Sequence, residues 1–365
     1  MPAGTAAATM AGGRLLPSSS QFTPSFVPFS RVAFPANAYV AAVASACFTT
    51  ALTLPLWRRW CVRSGLVDDP GHRKIHEQPI PLAGGLAVMT GLLVPACIAA
   101  VLLYMQQRAG ISLLPVSDTH EASLLSYGLN KRKVELLCIF IGAVGMLLVG
   151  LLDDKHELRA AWKFAGQLLI GLLVAASGAR ITLFVHGTFF HYAVTVLWIL
   201  TVVNAFNFMD NMNGLCAGLG AISAGYFAAR AAADGQYLVA LIAFLTFGSL
   251  LGFLPYNFPK ARAFLGDAGS HLVGYLLAVL AILPHFYSSH HPRRFAVLAP
   301  LFVLAVPLAD MAWVVLLRWR KGQPFYVGDT NHLSHRLARS GLSRTQAVLV
   351  IWALAVAVGA LTWLL

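Results

Sequence analysis

Residues 204–214 read Asn-Ala-Phe-Asn-Phe-Met-Asp-Asn-Met-Asn-Gly. Four amides and one carboxylate stand here between two apolar runs, Thr195–Val203 before and Leu215–Ala233 after. The flanks decide the fold class. Further out, apolar blocks of similar length recur along the whole chain, each about as long as a helix needs to cross a bilayer. A polar cluster in such a setting is costly unless its groups satisfy one another or do chemistry.

Ten apolar segments are predicted, near 36–57, 83–105, 134–152, 163–179, 191–203, 214–231, 237–254, 269–284, 295–317 and 346–365. The chain is therefore read as all-α, a polytopic membrane protein with about ten transmembrane helices. Composition agrees. Of 365 residues, 58% are hydrophobic and 11% charged, where a soluble domain carries about 25% charge. Residues 1–33, rich in Ala, Ser and Pro, are expected to form a flexible tail, with 34–365 a single integral-membrane domain. The tail lacks the cationic start and apolar core of a signal peptide. Five scattered cysteines, none in a C-x-x-C pair, suggest neither a disulfide framework nor a zinc site.

Ten spans sort the loops by parity. Loops 58–82, 153–162, 204–213, 255–268 and 318–345 fall on one face. Counting Lys163 and Arg318 at span ends, that face holds 16 of the 26 Lys and Arg, so the positive-inside rule makes it cytoplasmic. The net charge of +12 is thus read as a topology signal rather than a nucleic-acid footprint. The same face carries nine of the fourteen acids. No Walker loop, dinucleotide fingerprint or inverted repeat is present.

The shared face carries the motifs. Asp153-Asp154, followed by Lys163 and Gln167, could be span-end acids meeting water. They also suit a divalent cation bound together with phosphate. Phe264-Leu265-Gly266-Asp267-Ala268-Gly269-Ser270 reads equally as an N-cap or as an anion-facing helix start. Upstream of it, Asn257 ends a span. His332 and His335, with Arg336, form a cationic cluster able to hold pyrophosphate or act in acid–base chemistry; a zinc reading lacks further ligands. The first loop offers Arg73-Lys74-x-His76, then Pro79-x-Pro81-x-x-Gly84-Gly85, a rigid lead-in to a small-residue helix start.

Each motif is weak alone. In this order and on one face they resemble the polyprenyl-phosphate N-acetylhexosamine-1-phosphate transferase family (glycosyltransferase family 4), in its GlcNAc-1-phosphate branch. The likeness covers about residues 60–345 and includes Asn204-x-x-Asn207-x-x-Asp210-x-x-Asn213-Gly214-Leu215 and Pro307-x-x-Asp310 with Arg318. Two positions depart from it. Asn211 stands where the family often has Gly, and Ser334 where it often has the middle histidine of a His-x-His-His segment.

The resemblance implies transfer of a sugar-1-phosphate, GlcNAc-1-phosphate first among candidates, from a UDP-sugar to polyprenyl phosphate at the inner membrane, with release of UMP. It implies Mg²⁺, with Mn²⁺ as a substitute, held by Asp267 and Asp154. Catalytic roles are expected for Asp153, Asp154, Asp267 and His332. Substrate contacts are expected from Lys74, His76, Lys163, Asn204, Asn207, Asp210, Asn213, Asn257, Phe264, His335 and Arg336, with Phe264 stacked on uracil and sugar choice in 318–335. A homodimer is the family precedent. The competing reading is a transporter of an anionic or phosphorylated solute, which predicts ionisable groups at mid-membrane depth on several spans. Only Asp310 fits that.

Overall fold

The computed structural model describes residues 34–69, 78–109, 119–182, 187–284, 294–324 and 330–365. Thirteen α-helices dominate them. They are α1 (Ala36–Ser64), α2 (Gly84–Ala109), α3 (Thr119–Lys131), α4 (Lys133–His156), α5 (Ala160–Ser177), α6 (Thr188–Met209), α7 (Leu215–Ala233), α8 (Tyr237–Asn257), α9 (Gly266–Leu280), α10 (Ala299–Val303), α11 (Ala305–Arg320), α12 (Leu333–Arg339) and α13 (Arg344–Ala360). Two short strands, β1 (Val67–Asp68) and β2 (Ile80–Pro81), pair antiparallel between α1 and α2.

Among the described residues, eight helices are long and apolar enough to cross a membrane, and a ninth span arises if α10 and α11, bent by 67°, count as one. Of the ten segments expected, the one near 269–284 behaves differently. It is α9, 15 residues long, in which every residue but Asp267 is buried. At 1.5 Å per residue it reaches about 22 Å, short of a hydrocarbon core of about 30 Å. Protein surrounds it instead of lipid: α2, α4, α6, α7 and α8 all pack on it. The peripheral helices show the opposite pattern. Phe48 on α1, Leu148 on α4, Leu169 on α5 and Leu197 on α6 lie exposed, as lipid-facing side chains must.

The N-terminus of α9 is pinned from two sides. A Cβ at Gly150 of α4 would collide with the backbone of Asp267 and Ala268. From the other side, the Pro-x-Pro-x-x-Gly-Gly stretch hydrogen-bonds to the segment leading into α9. Phe264 N donates to Pro81 O (3.0 Å), Gly84 N to Phe264 O (2.9 Å) and Gly85 N to Leu265 O (3.3 Å). Backbones can meet this closely only where side chains are absent.

Candidate active site

The centre of the site is built where α4 ends and α9 begins. Helix α9 exposes unpaired N–H groups at its start. The Asp154 carboxylate covers them, with Oδ1 accepting from Asp267 N (2.8 Å) and Oδ2 from Ala268 N (3.0 Å). Such a cap contributes about 1 kcal/mol. It fits because Gly266, at φ 71°, has no Cβ; one built there would lie 2.8 Å from Asp154 Oδ2.

Asp153, the neighbour of that cap, faces a cation. Lys163 Nζ lies 2.6 Å from Asp153 Oδ2 and 3.0 Å from Asp267 Oδ2, bridging the two acids. Asp153 Oδ1 accepts from Leu158 N at 2.9 Å, which fixes its rotamer at the end of α4. Asp267 is held on its other oxygen by Asn207 Nδ2 at 2.6 Å, and the same amide reaches Ser270 Oγ at 3.0 Å. Asp210, just past α6, accepts from the Gly266 N–H. Burial, then the like charges of Asp267 and Asp154, push its carboxyl up to about 8.

These groups open into one cleft of about 1460 Å³. Residues from all five loops assigned to a common face line it. Asp153, Asp154, Asn207, Asp210, Asn213, Asn257, Phe264 and Asp267 are all on its wall. Asn213 Nδ2 donates to Pro259 O at 3.2 Å. Asn257 is buried and ties loops together, accepting from Gly214 N (2.6 Å) and donating to Ala263 O (2.9 Å). The amide groups of Asn257 thus already have protein partners.

Asn204 is not on the cleft wall. Its Nδ2 donates to Gln167 Oε1 and to Leu200 O, both at 2.8 Å, and Gln167 Nε2 meets His271 Nε2 at 3.2 Å. This chain of amides lies one layer beneath the acids. His332 sits outside the cleft as well. It is buried, with Nδ1 donating to Asp310 Oδ2 at 2.7 Å, and Leu333 N donates to Asp310 Oδ1 at 2.6 Å. His335 has its ring 6.4 Å from that of His332, and its pKa is lowered, chiefly by burial and then by His332 and neighbouring arginines. Arg336 lies over the Trp313 ring at 5.1 Å and lines a separate apolar cavity of about 340 Å³. Lys74 and His76 lie outside the described residues, as does Asp329.

The two departures from the family pattern meet. Ser334 Oγ donates to Asn211 Oδ1 at 2.6 Å. The cleft also carries cations that the motifs did not single out: Arg58, Lys260, Arg262 and Arg344. Their loops were named for other residues, and the clustering of Lys260 and Arg262 just before Phe264 was the available signal. His271, four residues after Asp267 on α9, gave no pattern to notice.

Among the described residues, no three His, Cys, Asp or Glu side chains form a metal cage. The donor set nonetheless suits a hard cation that shares its sphere with phosphate. Such a cation uses one or two carboxylates, and Asp153, Asp154, Asp210 and Asp267 all reach the same cleft.

The profile of Glycosyl transferase family 4 matches residues 136–285, from α4 through α9. A Bacillus subtilis protein, "Probable undecaprenyl-phosphate N-acetylglucosaminyl 1-phosphate transferase", is 30% identical over 312 residues, covering 83% of this chain and 78% of its own length. The chain belongs to glycosyl transferase family 4. The family-4 relatives include a Mycobacterium leprae protein named decaprenyl-phosphate N-acetylglucosaminephosphotransferase, 35% identical over 322 residues, with 80% of this chain and 76% of that one covered. An Escherichia coli K12 protein named undecaprenyl-phosphate alpha-N-acetylglucosaminyl 1-phosphate transferase is 26% identical over 318 residues, with 83% and 77% covered. The family-4 match takes in the acids, Lys163 and residues 204–214, and leaves the histidine helix α12 outside it. Nothing in these comparisons favours a transporter.

Proposed function

We propose that this family-4 protein transfers GlcNAc-1-phosphate from UDP-GlcNAc to a polyprenyl phosphate and releases UMP. The observation that carries the reading is the Asp153–Lys163–Asp267 bridge at the mouth of α9, whose two acids line a cleft large enough for a nucleotide sugar. The relatives' names support the polyprenyl-phosphate acceptor and the N-acetylglucosaminyl 1-phosphate group.

In this reaction an oxygen of the lipid phosphate attacks the β-phosphorus of the nucleotide. The bond from that phosphorus to the oxygen bridging toward the α-phosphate breaks, and UMP leaves with the electron pair. The attacking monoester is largely ionised near neutral pH, so proton removal contributes little. What the protein must supply is alignment and neutralisation of charge. Lys163 is the cation closest to the acids and would shift from them onto incoming phosphate. Arg262, Lys260 and Arg344 would take the outer oxygens. Asp210 and Asn213 would border the nucleotide, and Phe264 would stack on uracil, a contact worth roughly 1–3 kcal/mol.

The residues that would hold Mg²⁺ are Asp267 first, with Asp154 beside it. When bound, the ion would polarise the pyrophosphate and stabilise the leaving UMP. Asp267 is available through its outer oxygen once Lys163 moves. Asp154 already serves two backbone N–H groups, so its share in the metal would use remaining lone pairs. His332, held by Asp310 and set against the Phe208 ring, would support the cleft wall from behind. The excess of Lys and Arg on the cleft loops supports a cytoplasmic active site in the inner membrane.

The test uses purified protein in detergent with UDP-GlcNAc, undecaprenyl phosphate and MgCl₂. UMP release and lipid-extractable sugar label are the readouts. Asp267→Asn is expected to lower UMP release at least about a hundredfold, in line with losing one charged stabilising group. Full activity in Asp267→Asn would sink the site assignment. A wild-type protein that releases no UMP with any UDP-N-acetylhexosamine would sink the reading itself.

A further inference from the structure

We propose that the hydrogen bond from Ser334 Oγ to Asn211 Oδ1 is a clasp that sets α12 against the cleft, making both side chains positioning residues for sugar-1-phosphate transfer. The inference rests on the transferase reading above. It begins from the length of α12. Seven residues are too few for a helix to hold its own position in water, so its placement must come from contacts. On one side Asp310 accepts from His332 and from Leu333 N, which fastens α12 to α11. Neither bond refers to the cleft.

The Asn211–Ser334 bond does. Asn211 is on the cleft wall, next to Asp210. Its Nδ2 donates to Phe208 O at 2.7 Å, so the amide cannot swing and Oδ1 is aimed at α12. Ser334 meets it at 2.6 Å while only 1% exposed, so water does not replace the bond on the serine side. A hydroxyl buried there without a partner would cost free energy. The ring of the same Phe208 lies edge-on to His332, centroids 5.7 Å apart, with the Arg318 guanidinium 5.1 Å above its face. Phe208 thus touches the histidine through its ring and the clasp through its carbonyl. Without the clasp, α12 keeps its hold on α11 but loses its register against residues 208–211. The predicted loss is one of alignment, which acts on turnover more than on nucleotide binding.

The experiment compares Ser334→Ala, Asn211→Ala and the double variant with wild type, purified in detergent. Measurements are kcat and KM for UDP-GlcNAc with undecaprenyl phosphate in excess, and melting temperature. Each single variant is expected to lose about tenfold in kcat, which is ~1.4 kcal/mol. KM should stay within about twofold and the melting temperature within a few degrees. The double variant should be no slower than the worse single, because both remove one interaction. Single losses that multiply in the double variant overturn the clasp, as does an unchanged kcat. A loss that follows the fall in melting temperature makes the pair structural only and also overturns it. A wild-type protein inactive on UDP-sugars overturns both this inference and the transferase reading, whereas active wild type with unaffected variants overturns this one alone.

Discussion

Lys163 stands between Asp153 and Asp267, and its neighbour across the site, Asp154, has a different task. Both carboxylates of the Asp153-Asp154 pair looked equivalent in sequence. Asp153 faces a cation, and Asp154 caps α9 through the Asp267 N–H, 113 residues later in the chain. Asp154→Ala is therefore expected to remove two acceptors from buried N–H groups and to lower stability by about 1–2 kcal/mol, read as a melting temperature several degrees lower in metal-free buffer. A variant that melts like wild type would show that the cap is dispensable. His335 gives a pH prediction. Its pKa lies below the ordinary imidazole value of 6.5, so the unfolded chain takes up that proton first as pH falls. Stability attached to it is full above about 6.5 and declines below that value toward the lowered folded pKa. His335→Gln should flatten the melting-temperature decline between pH 7 and pH 5 by about 1–2 °C. The different tasks of Asp153 and Asp154 were not legible in sequence because they are set at α9, more than a hundred residues further along the chain. What could be read was that polar groups in an apolar chain needed a reason. That held for Asp210 and Asp267, which line the cleft, while Asn204 found its reason in Gln167 instead.

At the scale of elements, α9 is the helix around which the cleft is built. Hydropathy gave it the same signature as its lipid-facing neighbours, since a buried helix and a spanning helix are equally apolar. Its 15 residues and its enclosure by five other helices set it apart. The small residues that permit this were visible as Pro-x-Pro-x-x-Gly-Gly and as Gly150, but their partners were not. Gly150→Ala is expected to push α4 away from the start of α9, at a cost of about 1–3 kcal/mol, and to displace Asp154 and Asp153 together. The check is melting temperature and UMP release measured on the same preparation. Unchanged values for both would show that the contact can relax freely. The loop-parity grouping did better than the span count. It brought together Asp153, Asp210, Asn213 and Asp267 from three loops, and the cleft gathers those same residues. It also placed His332 on that face, but α12 docks on α11 through Asp310 and keeps the histidine outside the cleft wall.

For the whole molecule, Asp153, Asp154, Asp210 and Asp267 reach one cleft, and among the described residues no closed metal cage is formed. Removing divalent cations with EDTA is expected to abolish UMP release, and Mg²⁺ to restore it. By mass action Mg²⁺ should also raise the melting temperature of wild type and leave that of Asp267→Asn unmoved. A Mg²⁺-induced rise of equal size in both would place the ion elsewhere. The enclosure of α9 has a consequence for biogenesis. A helix this short, sheathed on all sides by protein, gains no stable seat from lipid while the chain is being threaded into the membrane. Its environment exists only once α2, α4, α6, α7 and α8 have come together. Asp267 therefore meets Asp154 and Lys163 only after those helices have packed, and a chain halted before that stage holds the acids of the cleft apart.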